Sequence, residues 1–140
     1  MPFERIVVAV DGSEAAYHAF ATALELAQVT DAKLLAIAVE GPLPAYAATL
    51  GEIEEVKREK DEFFGALADR VRGRAEAAGI PIEVEIRPGH AAEVITRYAL
   101  EVSADLIVLG HRGHFLRDHL LGSTADRVSE SAGCPVMIVR

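Results

Sequence analysis

The chain has 140 residues, of which 51% are hydrophobic and 6% aromatic, and its formal net charge is −8. This length suits a single domain spanning residues 1–140, and the acidic surface disfavours nucleic acid as a partner. A single cysteine, Cys134, excludes an internal disulfide, and with no basic side chain beside it we interpret it as structural. No apolar run approaches the roughly 18 residues of a membrane span, and the first residues do not resemble a signal peptide. We therefore expect a cytoplasmic domain with no membrane partner.

Short apolar runs alternate with amphipathic segments along the whole chain. The runs predict five strands, at 6–10, 33–39, 82–86, 106–109 and 136–139. Four helices are predicted between them, the last at 123–132. The long second helix has apolar residues at helical spacing, namely Ile53, Val56, Phe63, Leu67 and Val71. The alternation predicts an α/β fold, a doubly wound parallel sheet with helices on both faces, and strand 82–86 as a half-exposed edge.

Two of the predicted strands end in loops of unusual composition. Asp11-Gly12-Ser13 follows the first strand, Gly110-His-Arg-Gly113 follows the fourth, and Gly122-Ser123-Thr124 then opens a helix. Glycines allow close approach of the backbone, and the N–H groups of a helix start attract anions, so the second loop predicts a phosphate cradle. Ligands of parallel sheets bind beyond the carboxyl ends of strands, where the winding reverses. A reversal between strands one and four would place both loops in one crevice.

Several common catalytic and nucleotide-binding motifs are missing from the sequence. There is no Gly-x4-Gly-Lys-[Ser/Thr], and the only lysines are Lys33, Lys57 and Lys60, outside the loops. Neither Gly-x-Gly-x-x-Gly nor the nucleophile elbow Gly-x-Ser-x-Gly occurs. These absences disfavour a P-loop NTPase, a dinucleotide-dependent enzyme and an α/β hydrolase.

The sequence is similar to those of universal stress proteins, in the branch associated with ATP binding. The resemblance rests, in order along the chain, on Val8–Ser13, Gly110–Gly113, Leu121–Ser123 and Cys134–Val139. It implies the strand order 3-2-1-4-5, an ATP site with Mg²⁺ held by the phosphates, and a homodimer paired through the C-terminal strand. Eight residues, 114–121, separate the second glycine from Gly122, one fewer than in the family pattern.

The same resemblance implies the residues of the nucleotide site. Asp11 would contact the adenine or ribose, apolar residues would form the wall beside the base, and the glycine loop and helix start would hold the phosphates. The implied residues are Ala9, Asp11, Val39, Leu109, Gly110, Arg112, Gly113, Gly122, Ser123 and Thr124. No catalytic residue and no metal ligand of the chain is implied. Two alternatives remain open: Asp11 as an acceptor for backbone N–H groups at a helix start, and Ser123 with Asp126 as a capping box.

Three of the five histidines, His111, His114 and His119, lie in the glycine loop together with Arg117. Phosphate contacts, a pH-sensitive latch and a metal site are the functional interpretations. A metal site is the least favoured of these, since no cysteine is near and the His-x-x-His spacing of His111 and His114 lies in a glycine loop and not on a helix. A solvated basic loop also accounts for all of these side chains.

Two functions fit these features. The first is a nucleotide-binding regulatory protein in which ATP changes conformation or partner choice, with slow hydrolysis at most, because no general base is evident. The second is a nucleotide-independent dimeric interaction module of the same fold. An enzyme of the response-regulator or hydrolase kind is the least favoured. A response regulator would need an acidic cluster near Asp11 and a lysine at the end of the last strand, where this sequence has Arg140.

Overall fold

A computed structural model describes residues 3–41, 49–111 and 123–140. Within these ranges the strands are β1 (Arg5–Ala9), β2 (Lys33–Glu40), β3 (Ile82–Pro88), β4 (Leu106–Gly110) and β5 (Val136–Val139). The helices are α1 (Glu14–Thr30), α2 (Leu50–Ala77), α3 (Ala91–Glu101) and α4 (Thr124–Ser131). All strand pairs are parallel, in the order β3-β2-β1-β4-β5. The predicted fold class and strand order are confirmed.

The central strand β1 pairs with β2 on one side and β4 on the other. Its Val8 is opposite Ala36 in β2 and Val108 in β4. Because the chain moves outward through β2 and β3 and then returns to β4, the winding reverses between β1 and β4. The carboxyl ends of these two strands therefore lie side by side, as the sequence analysis required for a shared crevice.

Alternating side chains of the sheet pack into two separate cores. On one face, Val8 and the residues opposite it, Ala36 and Val108, pack under α1 and α2. Phe20 of α1 and Val71 of α2 contribute to this core. On the other face, α3 and α4 cover a second cluster of strand residues, which includes Ala9, Val39 and Leu109. Since β1, β2 and β4 are covered on both faces, their sequences are apolar at nearly every position.

Helix α2 is longer than the sheet is deep. Its 28 residues extend about 42 Å at 1.5 Å per residue, whereas β2 has only 8 residues. Leu67 and Val71 are buried against the sheet, but Phe63, which shares their spacing in the sequence, is 47% exposed. The first half of α2 therefore extends past the carboxyl ends of the strands, beyond the two sheet cores, and its buried Val56 belongs to neither of them.

The element boundaries agree closely with those predicted. The ladder of β1 continues one residue beyond Ala9, because Val10 N–H donates to the carbonyl of Ile37 at 3.0 Å. Strand β3 lies at the sheet edge and is half-exposed, as its alternation predicted. Ser123 and Ala132 cap α4 at its two ends. No helix in the described ranges is both long enough and apolar enough to cross a bilayer.

Candidate functional site

The loop after β1 holds the one buried acidic side chain found among the described residues, Asp11, which is 4% exposed. Its Oδ1 accepts a hydrogen bond from the backbone N–H of Ser13 at 2.9 Å. Ser13 in turn caps α1, since its Oγ accepts from the N–H of Ala16 at 3.1 Å. Gly12 between them has φ 84°, which glycine adopts without strain. The helix-start role of Asp11 that the sequence left open is thus present, and its ligand role stays a prediction.

Gly110, at the end of β4, lies directly against the first turn of α1. A Cβ on Gly110 would lie 2.8 Å from both the carbonyl carbon and the oxygen of Ala15, and 3.1 Å from the nitrogen of Ala16. This contact joins the end of β4 to the loop that carries Asp11. Gly110 therefore has a packing requirement of its own, in addition to the ligand contact implied by the resemblance.

The start of α4 is fixed by a capping box. The Oγ of Ser123 accepts from the N–H of Asp126 at 3.1 Å, and Asp126 Oδ2 accepts from the N–H of Ser123 at 3.4 Å. The predicted capping interaction is confirmed. Thr124, the first helical residue, is half-buried beside the cavity described next.

A cavity of about 670 Å³ opens on the α3/α4 side of the carboxyl edge. Its size falls within the roughly 300–1,000 Å³ range of small-molecule sites. Among the described residues it is lined by Val39, Gly41, Gly89, His90, Ala91, Ala92, Glu93, Thr96, Thr124, Arg127, Glu130 and Ser131. The cavity therefore extends from the end of β2 to the start of α4.

Of the predicted nucleotide-binding residues, Val39 and Thr124 line the cavity. Ala9 and Leu109 are buried on the same face of the sheet, in the core cluster that also contains Val39. Asp11, Gly110 and Ser123 lie at the same edge without lining the cavity. The remaining three, Arg112, Gly113 and Gly122, are outside the described residues, as are His114, Arg117 and His119.

The turn between β3 and α3 forms a cavity wall that the sequence analysis did not identify. Gly89 has φ 133°, and its N–H donates to the carbonyl of Glu40 at 3.0 Å. His90 precedes α3 without a side-chain capping bond, and the small residues Ala91 and Ala92 follow it. In the sequence, Pro88-Gly89 indicates only a turn that leads into the third helix. Combined with strand order 3-2-1-4-5, the strand-end rule would have placed it on this edge.

An ion-paired arginine ties this wall to the sheet. Arg87, in β3, bridges Glu85 and Glu101, with its Nη2 at 2.6 Å from Glu101 Oε2, and lies over the ring of Tyr98 at 4.9 Å. The hydrogen bond to Glu101, opposed by partial burial and helped by Glu85, raises the pKa of Arg87. Burial, with the nearby Glu85, raises the pKa of Tyr98. The charged bridge thus fixes α3 against the edge strand.

Two other side chains singled out in the sequence lie apart from the cavity lining. His111 is exposed, and its N–H donates to the carbonyl of Val139 at 2.7 Å. Cys134 precedes β5, and burial, with a smaller contribution from Asp105, raises its pKa. A raised pKa disfavours the reactive thiolate, which fits a structural role. Across the described residues, no group of three histidine, cysteine or acidic side chains is placed to hold a metal ion.

The order of the strands defines a doubly wound α/β protein, and a cavity lies at the carboxyl edge of its sheet. The model of the universal stress protein family matches residues 2–140, so the chain belongs to that family.

Individual relatives agree with this assignment over their full length. A universal stress protein of Thermus aquaticus is 38% identical over 99% of both chains. The crystal structure of a universal stress protein in complex with cAMP has 27% identity and a TM-score of 0.78, covering 100% of this chain and 99% of that one. The universal stress protein of Archaeoglobus fulgidus in complex with dAMP has 25% identity and a TM-score of 0.64, with 100% of both chains covered.

Proposed function

We propose that this protein binds an adenine nucleotide, ATP with Mg²⁺ held by its phosphates, and responds by changing its conformation or its choice of partner. The observation that carries the proposal is the cavity of about 670 Å³ between Val39 and Thr124, at the carboxyl edge of the sheet that also carries the switch point. Two family members of the same fold bind adenine mononucleotides, cAMP and dAMP, which supports this class of ligand.

The apolar end of the cavity suits a purine ring. Val39 forms its surface, and Ala9 and Leu109 lie in the same core cluster on neighbouring strands. A base set against this wall would exchange water for apolar contacts, and Asp11 at the adjacent strand end would accept a hydrogen bond from the base or the ribose.

The opposite end of the cavity suits phosphate. The first turn of α4 begins at Thr124, and the dipole of a helix start favours a negative charge placed at that end. Arg127, one turn further on, brings a permanent positive charge into a protein whose net charge is −8. The glycine loop, with Gly110, Arg112, Gly113 and Gly122, would complete the phosphate contacts. With no P-loop lysine in the sequence, we expect at most slow hydrolysis.

We also propose a cytoplasmic homodimer paired through β5. This strand is the outer one of its side of the sheet, and its Ile138 is 39% exposed. An apolar edge strand of this kind is a natural site for pairing with a second copy. In such a dimer, the strand that pairs with the second copy, β5, would be the direct neighbour of β4, whose loop we propose to contact the nucleotide.

The test is to fill the cavity and measure binding. Ala92 lines the cavity, whereas Ala21 is exposed on α1, so Ala92→Trp and Ala21→Trp form a matched pair. Isothermal titration with ATP, AMP and cAMP should show binding to the wild type and to Ala21→Trp, and loss of at least about tenfold in affinity for Ala92→Trp. Mass spectrometry of nucleotide released from freshly purified protein provides a second measurement.

Each result has a defined meaning for the proposal. Equal affinity in the two tryptophan variants would show that nucleotide does not occupy this cavity. If the wild type binds no adenine nucleotide and still forms a dimer by size-exclusion chromatography, the nucleotide-independent interaction module is the better description.

A further inference from the structure

One turn of α2 contacts the loops that follow two strands at the carboxyl edge of the sheet, β1 and β2. The ammonium group of Lys60 donates to the carbonyl of Gly41, directly after β2. Three residues further on, the Cζ atom of Phe63 lies 3.2 Å from the position that a Cβ on Gly12 would occupy, and its Cε1 lies at 3.6 Å. Residues 60 and 63 are neighbours on the helix surface. The same part of α2 therefore reaches the loops after β1 and β2.

The position of Phe63 on α2 is not accounted for by packing in either core of the sheet. It is 47% exposed, while its neighbour Phe64 packs against the core under α1 and α2. The two rings meet edge to face, with centroids 5.1 Å apart and an interplanar angle of 87°. Phe64 thus holds the ring of Phe63 in place, and that ring lies on Gly12.

Gly12 is the residue for which such a contact matters most. Glycine has the largest conformational freedom of any residue, and Gly12 is held at φ 84° between Asp11 and Ser13. The ring of Phe63 packs against Gly12 in the same conformation in which Asp11 Oδ1 accepts from the N–H of Ser13. Removing the ring returns this freedom to the loop without creating a cavity in the core.

We propose that Phe63 is a positioning residue for the nucleotide site, assisted by Lys60. Phe63 fixes the loop of Asp11, Lys60 fixes the end of β2 next to Val39, and both act from one turn of a helix that extends beyond the sheet. This inference rests on the proposed function for the identity of the ligand. Its structural half, the ordering of the Asp11 loop by Phe63, is measurable in the protein without nucleotide.

The first experiment measures amide hydrogen exchange of Gly12 and Ser13 by NMR in nucleotide-free protein. Phe63→Ala should raise the exchange rate of the Ser13 amide by roughly 2- to 30-fold, the range that corresponds to 0.5–2 kcal/mol of coupling. Phe63→Met, which keeps a flexible apolar group over Gly12, should restore slow exchange. Leu50→Ala, on the same helix and 73% exposed, is the matched control and should leave the rate unchanged. An unchanged Ser13 rate in Phe63→Ala would overturn the positioning role.

The second experiment measures nucleotide affinity in the same variants. Phe63→Ala should weaken ATP binding by roughly 2- to 30-fold, and Phe63→Met should recover it. Phe63→Tyr adds an oxygen to Cζ, the ring atom nearest Gly12, and should bind more weakly than Phe63→Met. If Phe63 contributed only to the stability of the fold, Phe63→Tyr and Phe63→Met would bind ATP with equal affinity.

Lys60 is tested in the same way. Lys60→Met should weaken binding, whereas Lys57→Met, at an exposed position on the same helix, should not. Wild-type binding with no effect of Phe63→Ala would refute the inference and leave the proposed function standing. Failure of the wild type to bind would refute the proposed function, and hydrogen exchange would then decide the inference by itself.

Discussion

Replacing Gly110 by alanine tests whether the end of β4 and the first turn of α1 are packed as tightly as the structure shows. The new Cβ would lie 2.8 Å from two backbone atoms of Ala15, about 0.6 Å inside ordinary van der Waals contact. Because backbone atoms cannot rotate away as a side chain can, α1 must shift as a unit. Overpacking of this kind costs about 1–3 kcal/mol, a large part of the roughly 5–15 kcal/mol that stabilises a domain.

The assay is urea unfolding followed by far-UV circular dichroism. Gly110→Ala should lower the unfolding free energy by about 1–3 kcal/mol at an unchanged denaturant slope. Gly65→Ala is the control, since no atom lies within 4 Å of its added Cβ and it sits in the exposed interior of α2. That substitution should stabilise by about 0.5–1 kcal/mol. The packing argument is refuted if Gly110→Ala stays within about 0.5 kcal/mol of the wild type, or if both variants lose stability equally.

Two further predictions concern α4 and the cysteine. Ser123→Ala removes the capping oxygen and should lower the unfolding free energy by about 1 kcal/mol, whereas Ser131→Ala, at the exposed end of the same helix, should change it by less than about 0.5 kcal/mol; equal losses in the two would contradict the capping role. Because burial raises the pKa of Cys134 above its ordinary 9.0, the native thiol should react more slowly with a disulfide reagent at pH 8 than the urea-unfolded chain does. As the pH rises, the thiol of the unfolded chain ionises before the native one. The contribution of Cys134 to the unfolding free energy is therefore complete below pH 9 and is lost as the pH rises through the native pKa. Cys134→Ala should show a smaller loss of unfolding free energy at alkaline pH. Equal reaction rates in the native and unfolded states would show that the thiol is not protected.

The fold could be predicted from sequence because its strands are covered on both faces. Runs such as 34–39 are apolar at each position, and they alternate with helical segments that have clear starts at Ser13 and Ser123. The strand order could not be obtained in this way, because hydrophobic patterning does not state which strands are neighbours. It came from the resemblance, and the structure confirms it.

The candidate site was only partly predictable, for reasons that particular residues make clear. The spacing of Phe63 matches that of Leu67 and Val71, but periodicity does not show where the sheet beneath a helix ends. Gly110 was interpreted from its loop as a ligand contact, whereas its packing against Ala15 depends on a residue almost a hundred positions away. Gly89 and His90 became part of the cavity only once β3 was known to lie next to β2.

The pairing of β1 with β4 also has a consequence for how the chain acquires its site during synthesis. The two strands that form the switch point are separated by about 100 residues, since Ile6 is opposite Leu106. Loop closure over that distance is entropically costly, and long-range parallel pairing forms slowly. A nascent chain that has produced β1, α1 and β2 can pair one edge of β1 and pack one face of the sheet, but the other edge of β1 stays unpaired until β4 arrives. The proposed nucleotide site would therefore be among the last parts of the molecule to assemble, and only a nearly finished chain would be stabilised by binding there.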